Sequence, residues 1–229
     1  TTGNVDYALD LTSGYRLNMG YGTAFKSPSF NDLYYPGFGT PTLDVETSSS
    51  FEIGLSGDSY RGHWSIRGFQ TSIEDLIGYD PVTWASVNVD KARINGFEFE
   101  WDGLVRAGLL KNWEMGTSLT LSDPIDRSTD KQLPRRSKEV IQLDLDRQQQ
   151  TSRYGLNLQY HGSRYDDKAN SSRLDSYGLI HGYFGYELNR SWTIRTEVNN
   201  LLGKVYATAK NYNEPGRVWF LRLQYQAEK

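Results

Sequence analysis

The sequence predicts an all-β fold, and more narrowly a transmembrane antiparallel β-barrel, on three observations. Apolar and polar residues alternate with period two in one segment after another, short and long connections alternate between those segments, and tyrosine or tryptophan brackets the apolar face. Composition pulls the other way: only 37% of residues are hydrophobic, a polarity that by itself suggests a soluble chain. Periodicity decides between the two, because in a barrel strand only alternate residues meet lipid.

The alternation begins with Val5 to Leu11 and becomes regular at Tyr15, Leu17, Met19 and Tyr21, which face away from Arg16, Asn18, Gly20 and Gly22. It recurs as Phe51, Ile53 and Leu55 against Glu52, Gly54 and Ser56. A less regular run follows from Trp64 to Ile73, and then Phe97, Phe99 and Trp101 against Glu98 and Glu100. Trp113, Met115, Leu119 and Leu121 oppose Glu114, Gly116, Ser118 and Thr120. Ile141, Leu143 and Leu145 oppose Gln142, Asp144 and Asp146. Tyr154, Leu156, Leu158 and Tyr160 come next, then Ile180, Phe184 and Tyr186. The series closes with Trp192, Ile194 and Val198, and with Trp219, Leu221, Leu223 and Tyr225. By the strand template this makes about eleven strands, and no segment competes as a helix.

Connections read as short at Thr12–Gly14, Gly57–Gly62, Gln148–Thr151 and Asn189–Ser191, and as intermediate at Asp102–Lys111. They read as long at Ala24–Ser48, Leu76–Ser86, Ser122–Arg136, Gly162–Asp175 and Ala207–Gly216. All long loops therefore fall at one end of the sheet, as in outer-membrane barrels with short periplasmic turns and long extracellular loops. A soluble sandwich or barrel would place its apolar face inside and a Lys-, Glu-, Ser- and Thr-rich face in water. Here the polar face mixes glycine with Arg, Glu, Gln and Asn, as suits a hydrated lumen.

Other classes are excluded. No run of roughly 18 apolar residues exists to form a transmembrane helix. Without cysteine there is neither a disulfide nor a thiolate metal site. Lys and Arg number 25 against 28 Asp and Glu, with no basic block, so no nucleic-acid partner is expected. The chain opens at Thr1 without a basic and apolar leader, which is expected of a processed or excised N-terminus. No linker interrupts residues 1–229, which read as one continuous architecture.

Particular motifs sharpen this. The segment Tyr21 to Tyr34 (YGTAFKSPSFNDLY), followed by Gly39 to Thr47 (GTPTLDVET), resembles the strand, Lys-Pro loop and G-N-P-x-L-x-P-E stretch of TonB-dependent outer-membrane receptors. Thr40 and Val45 replace the usual Asn and Pro. Asn88 to Glu98 (NVDKARINGFE) is similar to that family's N-x-x-K-A-x-I-x-G-x-E, and Val198 to Tyr206 with Pro215 to Arg217 is similar to its last hairpin. Leu133 to Ser137 and Gly162 to Asp166 lean toward the family's cobalamin-receptor branch. The chain departs from the family by ending in Gln226 to Lys229 rather than on an aromatic residue.

The resemblance implies the C-terminal half of a 22-stranded, plugged barrel. It further implies an N-terminal barrel half, a plug domain and a TonB-binding segment outside this chain, and outer-membrane lipids around it. The implied ligand is a scarce small-molecule nutrient, a cobalamin or alternatively a ferric siderophore, with no cofactor of the protein's own. A passive porin or an adhesin-like barrel is the reading from a different class. The resemblance places Arg135, with Arg136 beside it, at the ligand; a guanidinium donates several directed hydrogen bonds to amide or phosphate groups. The bland alternative pairs both arginines with lumen carboxylates. Tyr34, Tyr35, Phe38, Trp84, Tyr165 and Tyr212 fall in long loops, where aromatics either wall a ligand vestibule or pack the loops on one another. His63, His161 and His181 lie on separate segments and are expected to be structural. Asp123, Asp126 and Asp130 lack the spacing of a calcium loop and read as solvated loop charge; so do Asp166 and Asp167, with calcium binding as their lesser alternative. No arrangement of nucleophile, base and carboxylate stands out, so no enzyme is expected and no metal site is assigned.

Overall fold

The computed structural model describes residues 1–11, 14–80 and 82–227; Thr12 and Ser13 of the first short turn, Pro81, Glu228 and Lys229 lie outside the described residues. Strands in chain order are β1 (Asn4–Asp10), β2 (Tyr15–Lys26), β3 (Glu46–Ser59), β4 (Gly62–Asp80), β5 (Ala85–Leu104), β6 (Glu114–Asp126), β7 (Lys131–Gln132), β8 (Glu139–Gln149) and β9 (Ser152–His161). They continue as β10 (Arg164–Tyr165), β11 (Arg173–Leu174), β12 (Tyr177–Glu187), β13 (Trp192–Asn199), β14 (Ala207–Ala209), β15 (Tyr212–Asn213) and β16 (Val218–Tyr225). One helix, α1 (Phe30–Tyr34), sits in the loop after β2. The long strands form one antiparallel meander, β1-β2-β3-β4-β5-β6-β8-β9-β12-β13-β16, each next to its sequence neighbour. These are the eleven strands that alternation predicts. β7, β10, β11, β14 and β15 are two- or three-residue pairings within the loops, too short for any period to register.

Register carries the alternation across the whole sheet. Leu17 lies opposite Leu55, Leu55 opposite Ile66, and Ile66 opposite Phe99, so one face is continuously apolar. That face is open: Tyr21, Phe51, Ile53, Phe97, Leu121, Ile141, Phe184, Leu221 and Leu223 are all exposed. At the short-turn rim the rings of Tyr15 and Trp64 meet at 5.9 Å above Gly57, where an added Cβ would lie 2.8 Å from Tyr15 and 3.0 Å from Trp64. Only glycine leaves room for this corner of the aromatic girdle. The opposite face is a polar ladder: Arg67 bridges Glu52 at 3.1 Å and Glu98, while Asn157 donates to Asp144 at 2.6 Å and Gln159 to Asn157 at 2.8 Å.

β4 and β5 depart from expectation. Leu76 to Ser86 reads as a long loop, but β4 has 19 residues and β5 has 20, leaving only residues 81–84 to connect them. Crossing a bilayer takes about 9–11 tilted residues, so this hairpin projects well beyond the apolar belt. The cause is local burial. Ile73, Leu76, Val89, Ala92 and Leu133 form a buried hydrophobic cluster, in which Leu133 from the loop after β6 packs with residues of β4 and β5. Their packing keeps the hairpin paired where the two-period pattern has already faded.

Candidate ligand site at the loop end of the sheet

Four long connections converge over the projecting hairpin, and each is fixed by local chemistry. In the first, Ser29 and Asp32 make a reciprocal capping box: Ser29 Oγ accepts from Asp32 N at 3.2 Å, and Asp32 Oδ2 accepts from Ser29 N at 2.9 Å. The Asp32 carboxyl also accepts from Ser29 Oγ at 2.6 Å, and this bond first, then those from Ser29 N and Ser86 Oγ, hold it below its ordinary pKa. The S-x-x-D spacing is the signal that would have revealed α1, which the period-two reading misses. The same loop is tied to β5 by Asn88, whose Oδ1 accepts from Asp44 N at 2.9 Å and whose Nδ2 donates to Asp75 O at 2.7 Å.

Gly39 then turns the chain back against α1. A Cβ there would lie 2.6 Å from backbone atoms of Leu33, Tyr34 and Tyr35, which cannot move aside. Gly39→Ala is therefore expected to displace Phe38 and cost about 1–3 kcal/mol of local stability. The measurement is amide exchange across residues 29–40, which should speed up while the strands keep their protection.

Phe38, held by Ser86 N donating to its carbonyl at 3.0 Å, stacks on Tyr79 of β4 with centroids 5.5 Å apart and planes 18° apart. Arg135, on the loop after β6, lies over the same tyrosine at 5.5 Å. It donates from Nε to Asp166 Oδ1 at 2.7 Å, and its N–H donates to Tyr165 O at 2.6 Å. Asp166 and Asp167 are 5% and 6% exposed, which corrects their reading as solvated charge. Burial raises the Asp167 carboxyl, but bonds from Ser172 N, Ser171 N and Ser171 Oγ outweigh it and leave the pKa lowered. A depressed carboxyl stabilises the fold above its unfolded value of 3.8, and that contribution is lost as pH falls through the lower folded value. The loop should thus loosen only in acid, and Asp167→Asn should flatten that dependence in limited proteolysis at graded pH.

Together Phe38, Tyr79, Val82, Trp84, Arg135, Asp166, Asp167, Ser171, Ser172 and residues 208–212 enclose an open cavity of about 1140 Å³. Arg135 and Trp84 both hold a left-handed backbone, at φ 58°, a conformation that bulky residues adopt at a cost of about 1–3 kcal/mol and that clusters at functional sites. Of the eight sequence candidates, Phe38, Trp84, Arg135 and Tyr212 line this cavity. Tyr34 packs on Phe30, and Tyr35 meets Phe38 edge-on, outside the lining. Tyr165 contributes its carbonyl to Arg135. Arg136 lines an adjoining cleft of about 120 Å³ with Leu76 and Pro134, which shares Tyr79 and Arg135 with the cavity, and burial there lowers its pKa against the pull of Glu46. Sequence reasoning missed Tyr79, Asp166, Asp167 and the serines; Tyr79 lay in a supposed loop, and nothing local marks the aspartates as buried.

The three histidines lie apart: His63 beside Asp58 at a short turn, His161 stacked on Tyr177, and His181 beside Asn199. Asp123 pairs with Lys138 at 2.6 Å, and Asp126 accepts from Ser128 N at 2.8 Å.

The family profile described as "TonB dependent receptor-like, beta-barrel" matches residues 1–201. The chain is 33% identical over 226 residues to the vitamin B12 transporter BtuB of Photobacterium profundum, covering 96% of this chain and 36% of that protein. It is 33% identical over 214 residues to the protein of the same name from Vibrio vulnificus, covering 90% and 34%. The chain thus spans about a third of the length of these curated relatives. Among solved structures it superposes on the copper transporter OprC with a TM-score of 0.78 at 19% identity, covering 98% of this chain and 39% of that one. The siderophore receptor PiuA from Acinetobacter baumannii gives 0.76 at 21%, covering 98% and 35%. Strand number, register, loop asymmetry and profile agree, and the chain belongs to the TonB-dependent receptor β-barrel family of the outer membrane.

Proposed function

We propose that this chain is the loop-bearing C-terminal half of an outer-membrane receptor barrel that captures cobalamin at its extracellular mouth. Transfer inward would use energy delivered by TonB to a plug domain encoded outside residues 1–229. The observation that carries the reading is the charge balance of the cavity: Arg135 and Lys210 line it together with Asp166 and Asp167, among aromatic walls. Such a site suits a large, amide-rich, nearly neutral corrinoid. A ferric catecholate bears several negative charges and calls for an excess of cations. Two relatives at 33% identity named as vitamin B12 transporters support the same choice. The siderophore alternative draws on neighbours such as PiuA, whose likeness at 21% identity concerns the fold.

The test is binding of cyanocobalamin to the purified full-length receptor, followed by tryptophan quenching. Saturation at or below micromolar concentration supports the proposal. No saturable binding there overturns it, and binding of a ferric siderophore under the same conditions would put that substrate in its place. A porin or adhesin would show neither, and its gene would lack an upstream plug and TonB-recognition motif.

A further inference from the structure

We infer that Arg164 is a positioning residue that holds the β14–β15 hairpin against the ligand cavity. The inference rests on the function proposed above only for its effect on affinity. Arg164 lies on β10 and is 4% exposed, yet it makes no ion pair within 4.0 Å among the described residues. Its Nη2 donates to Ala207 O at 2.9 Å, its guanidinium lies 5.1 Å over the Tyr177 ring, and its Nη1 is buried without a partner. A buried cation without a carboxylate is costly to fold around, and an apolar side chain of similar length would fill the space at lower cost.

What the guanidinium adds is a connection. Ala207 opens the hairpin, and Tyr206 just before it packs on the same Tyr177 at 4.5 Å, so Arg164 and Tyr206 both tie the hairpin base to one ring. The far end of that hairpin, Lys210 to Tyr212, forms one wall of the cavity. On the same strand, Tyr165 O accepts from Arg135 N at 2.6 Å. β10 thereby sets the distance between the arginine on one wall and the hairpin on the other. Lysine cannot replace Arg164, because an ammonium does not present a planar face to the ring while donating sideways to a carbonyl.

The test uses full-length receptor freed of other cysteines, spin-labelled at Asn213→Cys on the hairpin or at Thr129→Cys on a different loop. In Arg164→Met the hairpin label should become mobile while the Thr129 label is unchanged. The cyanocobalamin dissociation constant should rise by about tenfold, as for one lost charged hydrogen bond. Arg164→Lys should restore neither. An immobile hairpin label in assembled Arg164→Met, or equal loosening at both labels, overturns the inference. If Arg164→Met does not assemble, Arg164→Lys supplies the same readout, and an immobile hairpin label there also overturns it. Failure of the parent receptor to bind cyanocobalamin sinks the proposed substrate alone, because label mobility is read without ligand.

Discussion

Arg135→Ala in the full-length receptor is expected to weaken cyanocobalamin binding by about 100-fold while barrel assembly, read by heat-modifiable migration, stays intact. Two effects combine. On the function proposed above, the ligand loses a directed hydrogen bond from a charged donor, worth about 1.5–3 kcal/mol. Asp166, 5% exposed and bonded to Arg135 Nε, is also left without its cation, and loss of one member of such a pair costs about 2–5 kcal/mol. The Arg135 side chain is 41% exposed, so solvent screens part of that second cost. The double variant Arg135→Ala/Asp166→Asn separates the two: loop protection should recover and affinity should not. If affinity recovers with the loop, Arg135 is a scaffold residue and makes no contact with ligand.

Residues 1–229 expressed alone are expected to yield no stable monomeric barrel. β1 and β16 bound the sheet and are not paired with each other. Each edge leaves a row of backbone donors and acceptors open, and in hydrocarbon every unsatisfied group costs several kcal/mol. Folding into liposomes should give aggregates or intermolecular sheet by light scattering and infrared spectroscopy. Addition of the preceding barrel half should convert it to a monomer; a monodisperse, protease-resistant monomer of the isolated chain would refute the expectation.

The two predictions draw on different kinds of legibility. Alternation such as Tyr15, Leu17, Met19 and Tyr21 against Arg16, Asn18, Gly20 and Gly22 is dictated by a strand with lipid on one side and water on the other. Strand number, order and facing were therefore readable without coordinates. α1 was missed although its capping box was in view, because five residues are too few for a helical period to compete with the surrounding pattern. The β4–β5 extension was missed because its apolar residues pack against Leu133 from a loop distant in sequence and the adjacent Leu76 and Ile77 are both buried, which breaks the alternation.

For the site, residue type was informative and position was not. Eight candidates rested on aromatic and arginine side chains in long loops; the structure gathers four around one cavity and leaves Tyr34, Tyr35, Tyr165 and Arg136 outside its lining. Asp166 shows why. In sequence it is one of several loop carboxylates, and only contact with Arg135, 31 residues away, makes it a buried partner.

The sequence by itself determined the low-hydropathy barrel wall, since lipid and water impose a period of two on every crossing strand and each residue reports its own side. Only the tertiary structure decided which loop residues share the cavity. Burial and pairing there are set by chain segments that meet in space, and their separation along the chain carries no periodic signal.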